Sequence, residues 1–351
     1  MPNKVLFILK KREDVIDKEK NIKKVIQTGL FNSSNYLNDI LNNMGIESHL
    51  EIAIDNNCID RLVTKHRPTH VVIEALWVVP PKFIILCKLH PTVKWIVRLH
   101  SETPFIACEG IAMQWITKYL LFQNVYLGVN SGRMLREMKE IFKIKFENAK
   151  IIDEKIIYLP NYYPIDNIEM KSYNKEKDTI NISCFGAIRP LKNQLMQAVA
   201  AIEFANKINK KLRFHINATR VEGNGLPVYH NLKYLFEELD VNKYELVEHP
   251  WYDKEEFHTI CTDMDIGLQV SFSETFNIVC CDLLKQGIPI ITSTDIVWSD
   301  SKYQANPTDS LDIVNKMLLT YEDLEENVKS NVKSLNEYLD KTKEAWYNYF
   351  C

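Results

Sequence analysis

An alternation repeated twice along the chain constrains it most: short apolar runs rich in β-branched residues are separated by longer amphipathic stretches. Runs that are apolar at consecutive positions must be buried on both faces, and parallel strands covered by helices satisfy that demand. In the first half the predicted strands are Val5–Leu9, Ser48–Ile54, His70–Ile73, Lys94–Arg98 and Val125–Val129, with helices at Ser33–Met44, closed by Gly45, and at Gly132–Phe142, and this half ends at Ile156–Leu159. The polar segment from Pro164 to Asp178 reads as a linker. A second series follows, with strands Ile180–Phe185, Lys211–Asn217, Tyr244–His249, Ile266–Val270 and Pro289–Thr292, and helices Asn193–Lys207, Asn231–Leu239, Lys254–Thr262 and Ser273–Gln286. At 351 residues the chain exceeds what one core usually supports. The expectation is two open α/β domains, 1–163 and 178–330, then a charged amphipathic tail over 331–351 that ends in Trp346, Tyr347, Tyr349 and Phe350.

Composition removes several classes of function. A net charge of −3 and a pI near 6.3 give no overall basic field for nonspecific nucleic-acid binding. The eight cysteines include no CxxC and sit mostly in apolar runs, which reads as reduced thiols in a cytoplasmic protein rather than disulfides or a zinc site. The apolar start at Met1–Lys11 is too short for a secretory signal and reads as a first strand. His70–His90 is apolar enough to suggest a membrane span, yet Glu74, Pro80, Pro81, Lys82 and Lys88 interrupt it, so no transmembrane helix is expected.

The most informative block is VSFSETFNIVCCDLLKQGIPIITS, Val270–Ser293. A strand ends at Val270, Ser273 is placed to cap a helix, and Gly287 and Pro289 stop it. Backbone amides of Thr275, Phe276 and Asn277 at that helix start, with its dipole, suit an anionic diphosphate. Glu274 and Asp282 would then stand ~12 Å apart along the helix, enough to grip both ends of a nucleotide-sugar. A second block, CFGAIRPLKNQ, has a turn at Gly186 and brings Arg189 and Lys192 to another helix start, which suits a pyrophosphate.

With Ser271, Glu274, Phe276, Asp282, Gly287 and Pro289 in one register, the chain resembles the family-four retaining GT-B glycosyltransferases, marked by an S-x-x-E-x-F … E … G-x-P pattern. Asp282 replaces the second Glu, and Ala187 stands where the family has Arg, with Arg189 a substitute two residues on. The resemblance implies two Rossmann-like doubly wound domains facing across a cleft, the C-terminal one holding the donor and the last helix crossing back onto the first. It implies retention and a site in which Glu274 and Asp282 take sugar and ribose hydroxyls while Arg189 and Lys192 hold the diphosphate. No cofactor and no metal are expected.

Other residues follow from position. Asn217, Thr219 and Arg220 sit at a strand's carboxyl end, where donor contact and a stabilising loop network are equal readings, and His249-Pro250-Trp251 resembles the family's segment beside the base, with core packing an equal reading for Trp251. In the first half, His100 resembles the histidine that approaches the transferred sugar. Ser101, Glu102 and Glu74 are acceptor-side candidates, Glu74 alternatively pairing with a buried cation. The first strand-to-helix region keeps only Gly29 beside Asn32, Ser33, Ser34 and Asn35, too little for the family's Gly-rich loop. Asp263-Met264-Asp265 matches a metal-binding pattern of another transferase fold and is assigned to structure. The expected function is metal-independent transfer of a hexose or pentose from a nucleotide-sugar, a UDP-sugar by preference, to a hydroxyl. The acceptor is a glycan or a hydroxymethylated base of viral DNA, the latter using Arg133, Arg136, Lys139, Lys143 and Lys145 as a basic track. A non-catalytic nucleotide-sugar binding protein is the alternative. Neither oligomeric state nor sugar identity is readable.

Overall fold

The computed structural model describes residues 2–11, 15–17, 22–24, 29–145, 149–166, 168 and 170–351. Contacts divide the chain into two units, Met1–Pro164 with Leu339–Cys351, and Ile165–Tyr338.

The first unit contains β1 (Lys4–Lys10), β2 (Val15–Asp17), β3 (Ile22–Lys24), α1 (Gly29–Asn43), β4 (Glu47–Ala53), α2 (Cys58–His66), β5 (His70–Glu74), α3 (Lys82–Leu89), β6 (Lys94–Leu99), α4 (Thr103–Ile106), α5 (Ala112–Tyr119), β7 (Val125–Val129), α6 (Gly132–Lys145), α7 (Ala149–Lys155) and β8 (Ile156–Tyr158). Its six-stranded sheet runs β4-β1-β5-β6-β7-β8 with every pairing parallel, and β2 and β3 make a separate antiparallel pair. The apolar strands are buried on both faces: Leu6, Ile8, Val71 and Val97 pack with α2 and α3, while Val5, Phe7, Val72 and Ile96 pack with α1, Trp346 and Phe350.

The second unit contains β9 (Thr179–Ser183), a 3₁₀ turn at Pro190–Lys192, α8 (Gln194–Lys207), β10 (Lys211–Asn217), α9 (Leu226–Glu237), β11 (Tyr244–His249), α10 (Lys254–Thr262), β12 (Ile266–Gln269), α11 (Ile278–Lys285), β13 (Ile290–Ser293), β14 (Gln304–Ala305), α12 (Ser310–Glu322) and the start of α13 (Leu324–Phe350), whose residues from Leu339 on belong to the first unit. The sheet order is β11-β10-β9-β12-β13-β14, again parallel throughout. Succession runs outward from β9 to β11, then returns past β9 to begin again at β12. The loops after β9 and β12 therefore leave neighbouring strands in opposite directions, which is where open α/β sheets accept ligands.

Two expectations change. The segment read as a linker is fastened to the second unit, since Lys171 Nζ donates to Met264 O at 2.6 Å and the Tyr173 hydroxyl bonds Gly287 O. The helix expected from Ser273 starts at Ile278 instead, capped by Asn277, whose Oδ1 accepts from Cys280 N at 3.2 Å. Phe276, 1% exposed, is drawn into the core against Trp298 and Tyr338, and Asn277 follows at φ +63°. Burying that aromatic ring outweighs one more helical turn.

Candidate functional site

The loops leaving β9 and β12 are stitched together by side-chain amides. Gly186 adopts φ +119°, a conformation that favours glycine, and its N–H donates to Asn217 Oδ1 at 2.8 Å. Asn217 Nδ2 also reaches Pro250 O at 3.3 Å, so the loops after β9, β10 and β11 share one anchor. Gln197 on α8 donates to Lys192 O at 2.8 Å while its Oε1 accepts from Val270 N at 2.8 Å. Asn193 Nδ2 bonds Val270 O at 3.1 Å, and Phe272 N donates to Leu191 O at 2.9 Å. Gln269 links Phe185 O at 2.9 Å to Asn277 Nδ2 at 2.8 Å. Buried amides whose donors and acceptors are both engaged hold a loop in one geometry.

This frame brings Lys192 and Glu274 into direct contact, with side chains only 14% and 11% exposed. Glu274 also accepts from Ser271 Oγ at 3.1 Å, and its own N–H donates to Asp295 Oδ2 at 3.2 Å. Arg189, in the same loop as Lys192, faces Glu222 at 3.9 Å. Glu222 is shared with Arg220 at 2.6 Å, and the Arg220 guanidinium lies 4.3 Å over the Trp251 ring, which is half-buried rather than core. Arg189, Lys192 and Arg220 thus stand at the carboxyl edge of the second sheet.

Several expected roles are corrected. Glu274 precedes α11, so the helical ~12 Å spacing to Asp282 does not apply. Phe276 faces the core, and Asn277 is spent on capping α11 and on Gln269. Asp282 is 7% exposed and takes a hydrogen bond from His258 Nε2 at 2.9 Å. Asp265 accepts from Asn181 N at 2.9 Å, a structural duty consistent with its assignment.

In the first unit Glu74 is fully buried and does not face an acceptor. It receives Arg98 Nη1 on both oxygens, at 3.2 and 3.1 Å, and bonds His100 Nε2. Burial opposes its charge, but Arg98 and then His100 outweigh that and hold its carboxyl below the ordinary range. Burial lowers the His100 pKa, with Glu74 opposing. Glu102, 2% exposed, is paired with Arg133 at 3.0 Å, so it too is withdrawn, while Ser101 is half-buried beside it. Ser33 and Ser34 are buried, Ser33 Oγ donating to Asn161 Oδ1 at 3.1 Å.

Sequence reasoning gives no place to Gln197, Gln269, Glu222, Arg98 or His258. A signal existed only for Arg98, a cation inside an apolar strand that demands a buried partner. Nor does it find the pair His215 and His249, whose stacked rings place Nδ1 and Nε2 2.8 Å apart. Asn181 Oδ1 takes His215 Nε2–H and the Tyr252 hydroxyl approaches His249 Nδ1, at 3.2 Å each, which fixes both rings as neutral tautomers. Burial, and after it the neighbouring His249 ring, pushes the His215 pKa down to about 3.

 His215 therefore stays neutral well below the ordinary histidine range. The unfolded chain, with an ordinary pKa near 6.5, then takes up the proton first as pH falls, so stability is full above about pH 6.5 and lost on acidification toward pH 3. The unfolding free energy from denaturant titration is expected to drop by up to about 1.4 kcal/mol per pH unit below 6.5, and His215→Gln to flatten that slope; an unchanged slope in the variant would contradict it.

No family model matches the chain, and no curated protein matches it significantly. Solved structures do. Sucrose-phosphate synthase from Thermosynechococcus elongatus aligns with a TM-score of 0.68 at 10% identity, over 99% of this chain and 98% of that one. A UDP-forming α,α-trehalose-phosphate synthase from Burkholderia xenovorans aligns at 0.61 and 9%, over 99% and 98%. The E. coli trehalose-6-phosphate protein bound with UDP-2-fluoro glucose aligns at 0.62 and 12%, over 84% and 76%. The fold is GT-B. In GT-B terms the second unit is a doubly wound sheet, and Lys192 and Glu274 sit on the two loops that flank its switch point.

Proposed function

We propose that this chain is a retaining glycosyltransferase that moves a sugar from a nucleoside-diphosphate sugar, a UDP-sugar by preference, to a hydroxyl of a glycan. The observation that carries the reading is the Lys192–Glu274 pair at the switch point of the second sheet, within a frame of engaged amides. Donor binding would exchange that pair for two new contacts. Lys192 turns to the diphosphate and Glu274 accepts from sugar hydroxyls, while Arg189 adds charge to the leaving group. Asp282 keeps the ribose-side place given by the resemblance, steadied by His258. Trp251 under Arg220 is assigned to the base side. His100 is assigned the sugar-side role that the resemblance gives it, with Glu74 fixing its ring.

No side chain is assigned as a covalent nucleophile. The bond from the anomeric carbon to the diphosphate breaks as the acceptor oxygen bonds the same face, and the acceptor proton passes to the departing phosphate oxygen. The cationic side chains supply the charge compensation that a divalent ion would otherwise give, and no metal is assigned a step. A glycan acceptor is favoured over a DNA base because the basic run on α6 is largely balanced: Arg133 pairs with Glu102 at 3.0 Å, Lys139 with Asp153 at 3.1 Å and Lys143 with Glu140 at 3.2 Å.

The test is a panel of nucleotide-sugars with glycan acceptors, following nucleotide release and reading the product anomer by NMR. A product with the donor's anomeric configuration is expected. Donor binding without transfer to any acceptor would favour the non-catalytic binding protein, and an inverted product would overturn the mechanism.

A further inference from the structure

The stretch that is too interrupted to cross a membrane has a surface of its own. Among the described residues no helix is long and apolar enough to span a bilayer. Yet α3 leaves Ile84, Ile85 and Leu89 exposed at 63%, 52% and 54%, while Phe83 and Leu86 on its other side are buried. The neighbouring α5 belongs to the same layer, since Phe83 meets Tyr119 at 5.4 Å and Phe122 at 6.1 Å. The turn after α5 adds Leu121, 65% exposed. Large apolar residues scattered singly over a surface need no explanation, whereas three on one face of a two-turn helix, with a fourth on the next element, make a patch.

The charges carried by α3 and α5 themselves have one sign. The sequences of α3 (KFIILCKL) and α5 (AMQWITKY) contain Lys82, Lys88 and Lys118 and no acidic residue. A second copy of the chain docked through this face about a twofold axis would set these lysines against their own counterparts, which is unfavourable. An anionic bilayer surface fits both features, taking the isoleucines and leucines into the headgroup boundary while the lysines meet lipid phosphates.

We propose that the α3–α5 face of the first unit docks peripherally on anionic lipid surfaces. The test is co-sedimentation of the full chain with vesicles of phosphatidylcholine alone and of phosphatidylcholine with phosphatidylglycerol. Binding to the anionic vesicles is expected, weakened by salt and at least tenfold stronger than to the neutral ones. The variant Ile84→Ser/Ile85→Ser/Leu89→Ser should lose at least tenfold in binding with an unchanged melting temperature, and Lys88→Glu/Lys118→Glu should lose the preference for anionic lipid. A wild-type chain that stays in the supernatant with both vesicle types overturns the proposal. So does a serine variant that is folded and binds as wild type, or a wild-type dimer in sedimentation equilibrium that the serine variant dissolves. None of these readouts involves sugar transfer, so this proposal and the glycosyltransferase reading fail separately.

Discussion

Lys192→Ala is expected to lower sugar transfer by ~10²–10³-fold, the scale seen when one group stabilising transition-state charge is removed. Lys192 stands in a loop fixed by Gln197 and Asn193, so its side chain is positioned before any donor arrives. Its contact with Glu274 is a largely buried ion pair, at 14% and 11% exposure, so removing the cation also leaves the Glu274 carboxylate short of a partner and costs stability. The variant should therefore melt below the parent but remain folded at assay temperature, while donor affinity and turnover both fall. Glu274→Ala should also abolish transfer, because it removes the acceptor for sugar hydroxyls and leaves Ser271 without a carboxylate partner. Steady-state kinetics with matched thermal melts checks both. Full activity in the two folded variants would refute the assignment of this pair.

The largest stability effect is expected at Arg98. Its guanidinium is fully buried, donates from Nη1 to Glu74 and from Nε to Leu159 O at 2.9 Å, and lies 5.4 Å from the Trp346 ring centre. Arg98→Ala strands the Glu74 carboxylate inside the core, and breaking a buried pair from one side costs about 3–5 kcal/mol. The double variant Arg98→Met/Glu74→Gln should recover much of that loss, because no unpaired charge is left behind. Denaturant titration of the three variants measures the difference. A loss below about 1 kcal/mol for Arg98→Ala would show that Glu74 finds another partner.

The strand and helix plan was legible because burial on both faces writes itself as continuous apolar runs; β7, β10, β11 and α10 begin and end where the patterning places them. The motif residues were legible as a register, and the structure brings Lys192 to Glu274 across 82 positions of sequence. The local geometry was less so. Helical spacing continues from Glu274 into α11, and only the burial of Phe276 against Trp298 and Tyr338 reveals why the helix waits until Ile278. Polar partners such as Glu222, His258 and Gln197 carry no periodic signal, since their roles depend on contacts made across the sheet edge. Glu74 shows the same limit: an acid in an apolar strand announces that it needs a partner, but not that the partner is Arg98 on the adjacent strand.

A crystal structure of the protein with UDP bears most directly on the central claim. The account predicts the diphosphate beside the Gly186 turn, with Lys192 Nζ within ~3 Å of a phosphate oxygen and its contact with Glu274 released. A diphosphate bound elsewhere, with Lys192 and Glu274 still joined, would contradict it.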